Sequence, residues 1–131
     1  MKVALCHLEL SNGPEQKNIE ILEKAVRIAA EKGANWVITP ETAVQGYYFY
    51  KLEPETKVDK QPSSKLSFLL SLVKDYGLFL FLGCGEYDSE LNCNFNSCIV
   101  FEPSGEICGR HRKIISHGIG AEAWARTAVM A

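Results

Sequence analysis

Trp36-Val37-Ile38-Thr39-Pro40-Glu41 sets three apolar residues directly before a proline and a carboxylate. Trp, Val and Ile favour a pleated, buried environment, and Pro40 cannot continue a central strand. A short buried strand over Trp36, Val37 and Ile38 therefore delivers Glu41 to its carboxyl end, where open α/β sheets place their ligand sites. Most carboxylates in such positions are nevertheless solvated or cap a helix, so Glu41 needs a partner from elsewhere in the chain before it reads as catalytic.

Upstream, residues 2–10 place Val3, Leu5 and Cys6 in an apolar run that reads as a strand buried on both faces. Ser11-Asn12-Gly13-Pro14 then supplies turn and helix-start chemistry. From Pro14 to Lys32, Ile19, Leu22, Val26 and Ala29 recur at steps of three or four, which is one apolar stripe of a helix, and Gly33 offers a residue to close it.

Downstream, the polar stretch from Lys51 to Gln61 reads as an exposed loop, and Leu66, Leu69, Leu70 and Val73 mark a second amphipathic helix ending near Gly77. Leu78 to Leu82 begins a third strand. Asn96 to Phe101 and Ile107 to Lys113 follow as strands, separated by the turns around Asp88 to Asn92 and at Pro103-Ser104-Gly105. The order is β-α-β-α-β-β-β. Helical crossovers join parallel strands and short turns join antiparallel ones, so the expectation is an α/β fold with a mixed sheet and helices on one face. No internal boundary or repeat divides residues 1–131, which read as a single domain.

Composition narrows the function classes. The chain has 131 residues, 47% hydrophobic and 23% charged, with a formal net charge of -2. The most basic stretch, Arg110-His111-Arg112-Lys113, is too short for the broad cationic face that binds nucleic acid. No apolar run approaches the roughly 20 residues of a membrane span, and His7 and Glu9 come too early for a signal peptide, so no membrane association and a cytoplasmic location are expected. Five cysteines, an odd number, lack the spacing of a common zinc or redox site and suit unpaired thiols.

Among residues able to do chemistry, Lys113 closes the last strand, and a lysine held beside a carboxylate stabilises an oxyanion or positions a base. Cys84, in Gly83-Cys84-Gly85-Glu86, lies in an apolar strand and reads as a structural thiol. Cys93 and Cys98 are five apart on one strand and point to opposite faces, which argues against a metal site. His7, His111 and His117 are scattered; no metal and no cofactor are expected.

The succession Thr39-Pro40-Glu41-Thr42-Ala43-Val44-Gln45-Gly46-Tyr47, then Asn96-Ser97, then Gly105 before Arg112-Lys113-Ile114, resembles the signatures of the nitrilase superfamily of carbon-nitrogen hydrolases in order and spacing. The resemblance extends to about Trp124. It implies that the chain is the first half of an αββα sandwich. It also implies that Glu41 is a general base, that Lys113 stabilises the tetrahedral intermediate, and that Tyr47 lies near the substrate pocket, while Asn96 looks structural. Glu122 falls where many members carry a second active-site glutamate, although Gly118-Ile119-Gly120-Ala121 leaves that alignment open against a solvated turn residue.

The family's nucleophile is a cysteine on a strand beyond Lys113, and no cysteine follows Lys113 in this sequence. The expectation is thus a truncated hydrolase of small amides, carbamoyl compounds or nitriles, inactive as this chain, with an uncovered sheet face that favours a homo-oligomer. The alternative is a catalytically dead module that binds a small molecule or another protein.

Overall fold

The computed structural model describes residues 1–128. Its five strands are β1 (Val3–Leu5), β2 (Trp36–Ile38), β3 (Phe79–Asp88), β4 (Cys93–Phe101) and β5 (Ile107–Arg112), and its helices are α1 (Glu15–Glu31), α2 (Phe49–Leu52) and α3 (Ser67–Tyr76). The strands lie side by side in chain order; β1, β2 and β3 are parallel, and β3, β4 and β5 antiparallel. The expected mixed sheet and element order are present, with α2 as an addition that runs into the start of the Lys51-to-Gln61 stretch.

One row of cross-strand neighbours shows how the core is laid down. Ala4, Val37, Leu80, Phe101 and Ile107 stand opposite one another across all five strands, and all five belong to or pack against one cluster that includes Ile19, Leu22 and Val26 of α1 and Leu69, Leu72 and Val73 of α3. The apolar stripes of both helices thus cover the same face of the sheet. Burying such a side chain contributes about 1.5–3 kcal/mol each, which is why register is tightly specified on this face: a one-residue slip would turn the whole row to the other side.

The opposite face is open. Leu5, Ile38, Phe81 and Val100 form the neighbouring row there; Leu5 is 76% exposed, and Trp36 packs its ring on Phe79 and Phe81 at centroid distances of 6.2 and 5.1 Å. This corrects the expectation of a first strand buried on both faces. From Val3 to Leu10 exposed and half-buried residues alternate, with Ala4, Cys6, Leu8 and Leu10 against the core. Trp36 and Ile38, likewise, are half-buried around a fully buried Val37. The reason is that α1 and α3 both lie on one face, so among the described residues apolar side chains pointing the other way are covered by neither helix.

The stretch from Lys51 to Gln61 is mostly exposed, as expected, but not wholly: Lys51 and Leu52 end α2, Val58 is buried, and Asp59 O accepts a hydrogen bond from Tyr87 N. Among the described residues no helix is long and apolar enough to cross a membrane.

Candidate active site

Beyond Phe81 the edge of β3 that faced β2 loses its neighbour, because β2 stops at Ile38. Its backbone groups are satisfied instead by the segment after β2. Thr39 N donates to Phe81 O, Gly83 N donates to Thr39 Oγ1, and Ala43 N donates to Gly83 O. Gln45, 1% exposed, then does with its amide what a strand residue does with its backbone: its Oε1 accepts from Gly85 N at 2.8 Å and its Nε2 donates to Gly85 O at 3.3 Å. On the other side Asn18 of α1 donates to Val44 O and exchanges two bonds with the backbone of Ser11.

Glu41 sits at the apex of this clamped segment. A side chain at Gly83 would run into the Pro40 carbonyl and the Glu41 Cα, and one at Gly46 would strike the Ser11 carbonyl; glycine at these positions lets the segment lie against the sheet. Thr42 has φ 53°, an unusual left-handed conformation for a β-branched residue, and its buried Oγ1 has no partner among the described residues. A backbone in that region costs on the order of 1–3 kcal/mol and persists where its surroundings over-determine it.

Lys113 arrives from the opposite edge. It directly follows β5, and its N donates to Asn96 O at 2.7 Å. Alternation turns Arg110 and Arg112 to one face and His111 and Lys113 to the other. Lys113 Nζ lies 2.9 Å from Glu41 Oε1 and 2.5 Å from Glu122 Oε1. The partner that Glu41 needed is therefore present, 72 residues further along the chain.

Glu122 is only 1% exposed, so it is not a solvated turn residue. The loop after Lys113 returns it to the sheet: Trp124 packs on Phe49 of α2 at 5.1 Å and faces Gly85, while Arg126 N donates to Asn94 O. Glu122 also accepts from His117 N at 3.3 Å and from Asn96 Nδ2 at 3.4 Å. Asn96 donates to Glu41 Oε1 as well, at 2.6 Å. Its side chain thus touches both carboxylates and lies at the site itself; the sequence signal was its place on a strand beside Ser97, opposite the Lys113 strand.

The electrostatics follow from these contacts. Hydrogen bonds to Glu122 and then to Glu41 push the Lys113 ammonium well above the ordinary lysine range, so it remains charged. Burial on its own would raise the Glu122 carboxyl, but the Lys113 bond and the donors around it outweigh burial and hold it below the usual value. Tyr47, half-buried, has its phenol raised by desolvation and by the nearby charges of Glu122 and Glu41; it stands in the field of the trio without lining the cleft.

That cleft, of about 280 Å³, lies on the open face of the sheet and is lined by residues including Glu41, Asn96, Cys98, His111 and Lys113. A carboxylate 46% exposed and a lysine 35% exposed at its wall can exchange a proton with a reacting group and stabilise a developing oxyanion. Cys84 is fully buried on the helix side, and desolvation pushes its thiol far above the range of a nucleophile at neutral pH, as expected of a structural thiol. Among the described residues no group of three or more His, Cys, Asp or Glu is placed to hold a metal ion.

Residues 2–123 match the carbon-nitrogen hydrolase family. The chain is 31% identical to a nitrilase of Pyrococcus abyssi over 87% of its own length and 43% of that protein, and 33% identical to an omega-amidase of Xenopus laevis over 70% of its length and 32% of that protein. In solved structures it resembles an amidase from Nesterenkonia sp. AN1 in complex with acrylamide, with a TM-score of 0.84, 19% identity, and coverage of 99% of this chain and 49% of the other. A nitrilase-superfamily member of Saccharomyces cerevisiae, Nit3, superposes with a TM-score of 0.81, 22% identity and the same coverage. The chain thus spans about half the length of these structures and less than half that of the two relatives. With its family match running through the segment that carries Glu41 and the strand that leads to Lys113, the chain belongs to the carbon-nitrogen hydrolases of the nitrilase superfamily.

Proposed function

We propose that this chain carries the acid-base and oxyanion side of a site that hydrolyses small non-peptide amides, with a cysteine nucleophile supplied by polypeptide beyond the part described. The observation that carries the reading is Lys113 Nζ held between Glu41 and the buried Glu122 at the wall of an open cleft. In this reading Glu41 takes the proton of the cysteine thiol as sulfur attacks the amide carbon. Lys113 stabilises the resulting oxyanion, and the carbon-nitrogen bond breaks as the amine leaves with the proton. Glu41 then accepts a proton from water as it attacks the thioester, and the acid and the free thiol are released. Glu122 takes no proton; it fixes Lys113.

Relatives named nitrilase and omega-amidase support a small amide or nitrile as the substrate class. The test is ammonia release from simple aliphatic amides. The 131-residue chain alone is expected to show none. The chain joined to the remaining half of a relative is expected to turn over, and Glu41→Gln and Lys113→Ala each to reduce kcat/KM by at least about 100-fold, the lower end for loss of an acid-base or oxyanion group. Full activity in either variant would refute the assigned roles.

A further inference from the structure

The side of the sheet away from the cleft carries a second group of charges that takes no part in the chemistry above. Glu86 of β3 is 2% exposed, and both its oxygens are committed. Oε2 pairs with Arg110 Nε at 2.9 Å; Oε1 pairs with Arg112 Nε at 2.9 Å and accepts from Ser97 Oγ at 2.7 Å. Arg112 also reaches Asp88 at 2.9 Å, and its guanidinium stands 4.1 Å from the centre of the Phe95 ring. Burying charges gains little net stability over an apolar packing of the same volume. What this arrangement adds is geometry, because two planar guanidinium groups are held by one rigidly placed carboxylate.

The geometry bears on β5, which among the described residues is an edge strand paired only with β4, with a register irregularity at Val100/Phe101. Such a strand is weakly fixed by its backbone. Its last residues alternate between Glu86 on one side and the cleft on the other, so a tilt or slip at Arg112 is carried straight into Lys113. We propose that Glu86 is a positioning residue for Lys113: by gripping Arg110 and Arg112 from the far side of the sheet it fixes the end of β5 and so holds Nζ between Glu41 and Glu122. The inference rests on the proposed function only for the importance of Lys113; the positioning is read without any reaction.

The test is a carboxyl 13C NMR titration of Glu122 in the 131-residue chain. The groups facing Glu122 are Lys113, Glu41, His117, Tyr47 and the neutral donor Asn96. Glu86→Gln keeps the side-chain shape and removes both ion pairs. Losing one negative charge, which leaves Arg110 without its carboxylate and Arg112 with Asp88 alone, can, by Coulomb's law, only lower the Glu122 midpoint. Loosening Lys113 raises it, because burial then acts with less opposition.

The expected result is a rise of about one pH unit, partly reversed in Glu86→Asp. An unchanged or lower midpoint in folded Glu86→Gln would overturn the proposal. If that variant does not fold, Arg110→Lys carries the same test, because it keeps the charge and loses the guanidinium grip; a smaller rise is expected, and no rise overturns the proposal equally. Since no substrate is involved, failure here leaves the hydrolysis test standing, and failure of hydrolysis leaves this one standing.

Discussion

Replacing Lys113 by methionine removes a charge and leaves most of the stem, which isolates what the ammonium does for the fold. Its contact with Glu41 is worth little, since that carboxylate is 46% exposed and exposed pairs contribute about 0–1 kcal/mol. Its contact with Glu122, 1% exposed, is different. Breaking a buried pair by removing one partner costs about 3–5 kcal/mol. Lys113 is itself 35% exposed, and Asn96 and the His117 N–H still serve Glu122, so we take about 2 kcal/mol, between the exposed and buried limits.

The sign with pH follows from Glu122. With Lys113 present its folded pKa is depressed, so the pair contributes stability above the unfolded value of about 4.3 and loses it as pH falls through the folded value. Without Lys113, burial raises the folded pKa, so the carboxyl costs stability as pH rises above the unfolded value. The gap between Lys113→Met and the native chain therefore opens above about pH 4 and is widest near neutrality. At about 4 °C per kcal/mol for a chain of this size, Tm should fall by about 8 °C at pH 7.5 and much less at pH 4. Urea and thermal melts read by Trp36 and Trp124 fluorescence measure this, and Lys113→Met/Glu122→Gln should recover at least half the loss by removing the buried charge. A penalty that is absent, or that does not change with pH, would refute the reasoning.

Two further outcomes test the support of the site and the state of its thiols. Gly83→Ala should destabilise the chain by about 2 kcal/mol or more, because the added carbon meets the Pro40 carbonyl and Glu41 Cα; urea melts give the magnitude, and amide shifts concentrated in residues 39–43 would locate the strain. Iodoacetamide at pH 8 should label the exposed Cys108 while Cys84 stays unlabelled until denaturant is added; peptide mass spectrometry reads both, and early labelling of Cys84 would contradict its place in the core.

Much of this architecture is legible locally. The stripes of α1 and α3, the turns at Asp88 to Asn92 and Pro103 to Gly105, and the strand that ends at Pro40 each depend on neighbours within a few residues, so periodicity and turn chemistry reveal them. That Glu41 lies at a strand end, and that Lys113 closes a strand, come from the same local reading, which overshoots β5 by the one residue Lys113.

What the sequence by itself determined, then, is the order of elements, the placing of helices on one face of a mixed sheet and the motif that marks the family. Only the tertiary structure decided which residues meet. The apolar run of β1 reads as a strand buried on both faces, but the exposure of one face follows from both helices lying across the other, which is a property of the whole sheet. Glu122 follows a glycine-rich loop with no periodicity, so its burial against Lys113 was set by Trp124 docking on Phe49, a contact 75 residues apart in sequence. Asn96 and Glu86 took their places because β4 pairs with β3 on one side and β5 on the other. Side chains distant along the chain are brought to hydrogen-bonding distance by strand register, and register is fixed by burial and pairing summed over the sheet rather than by any segment alone.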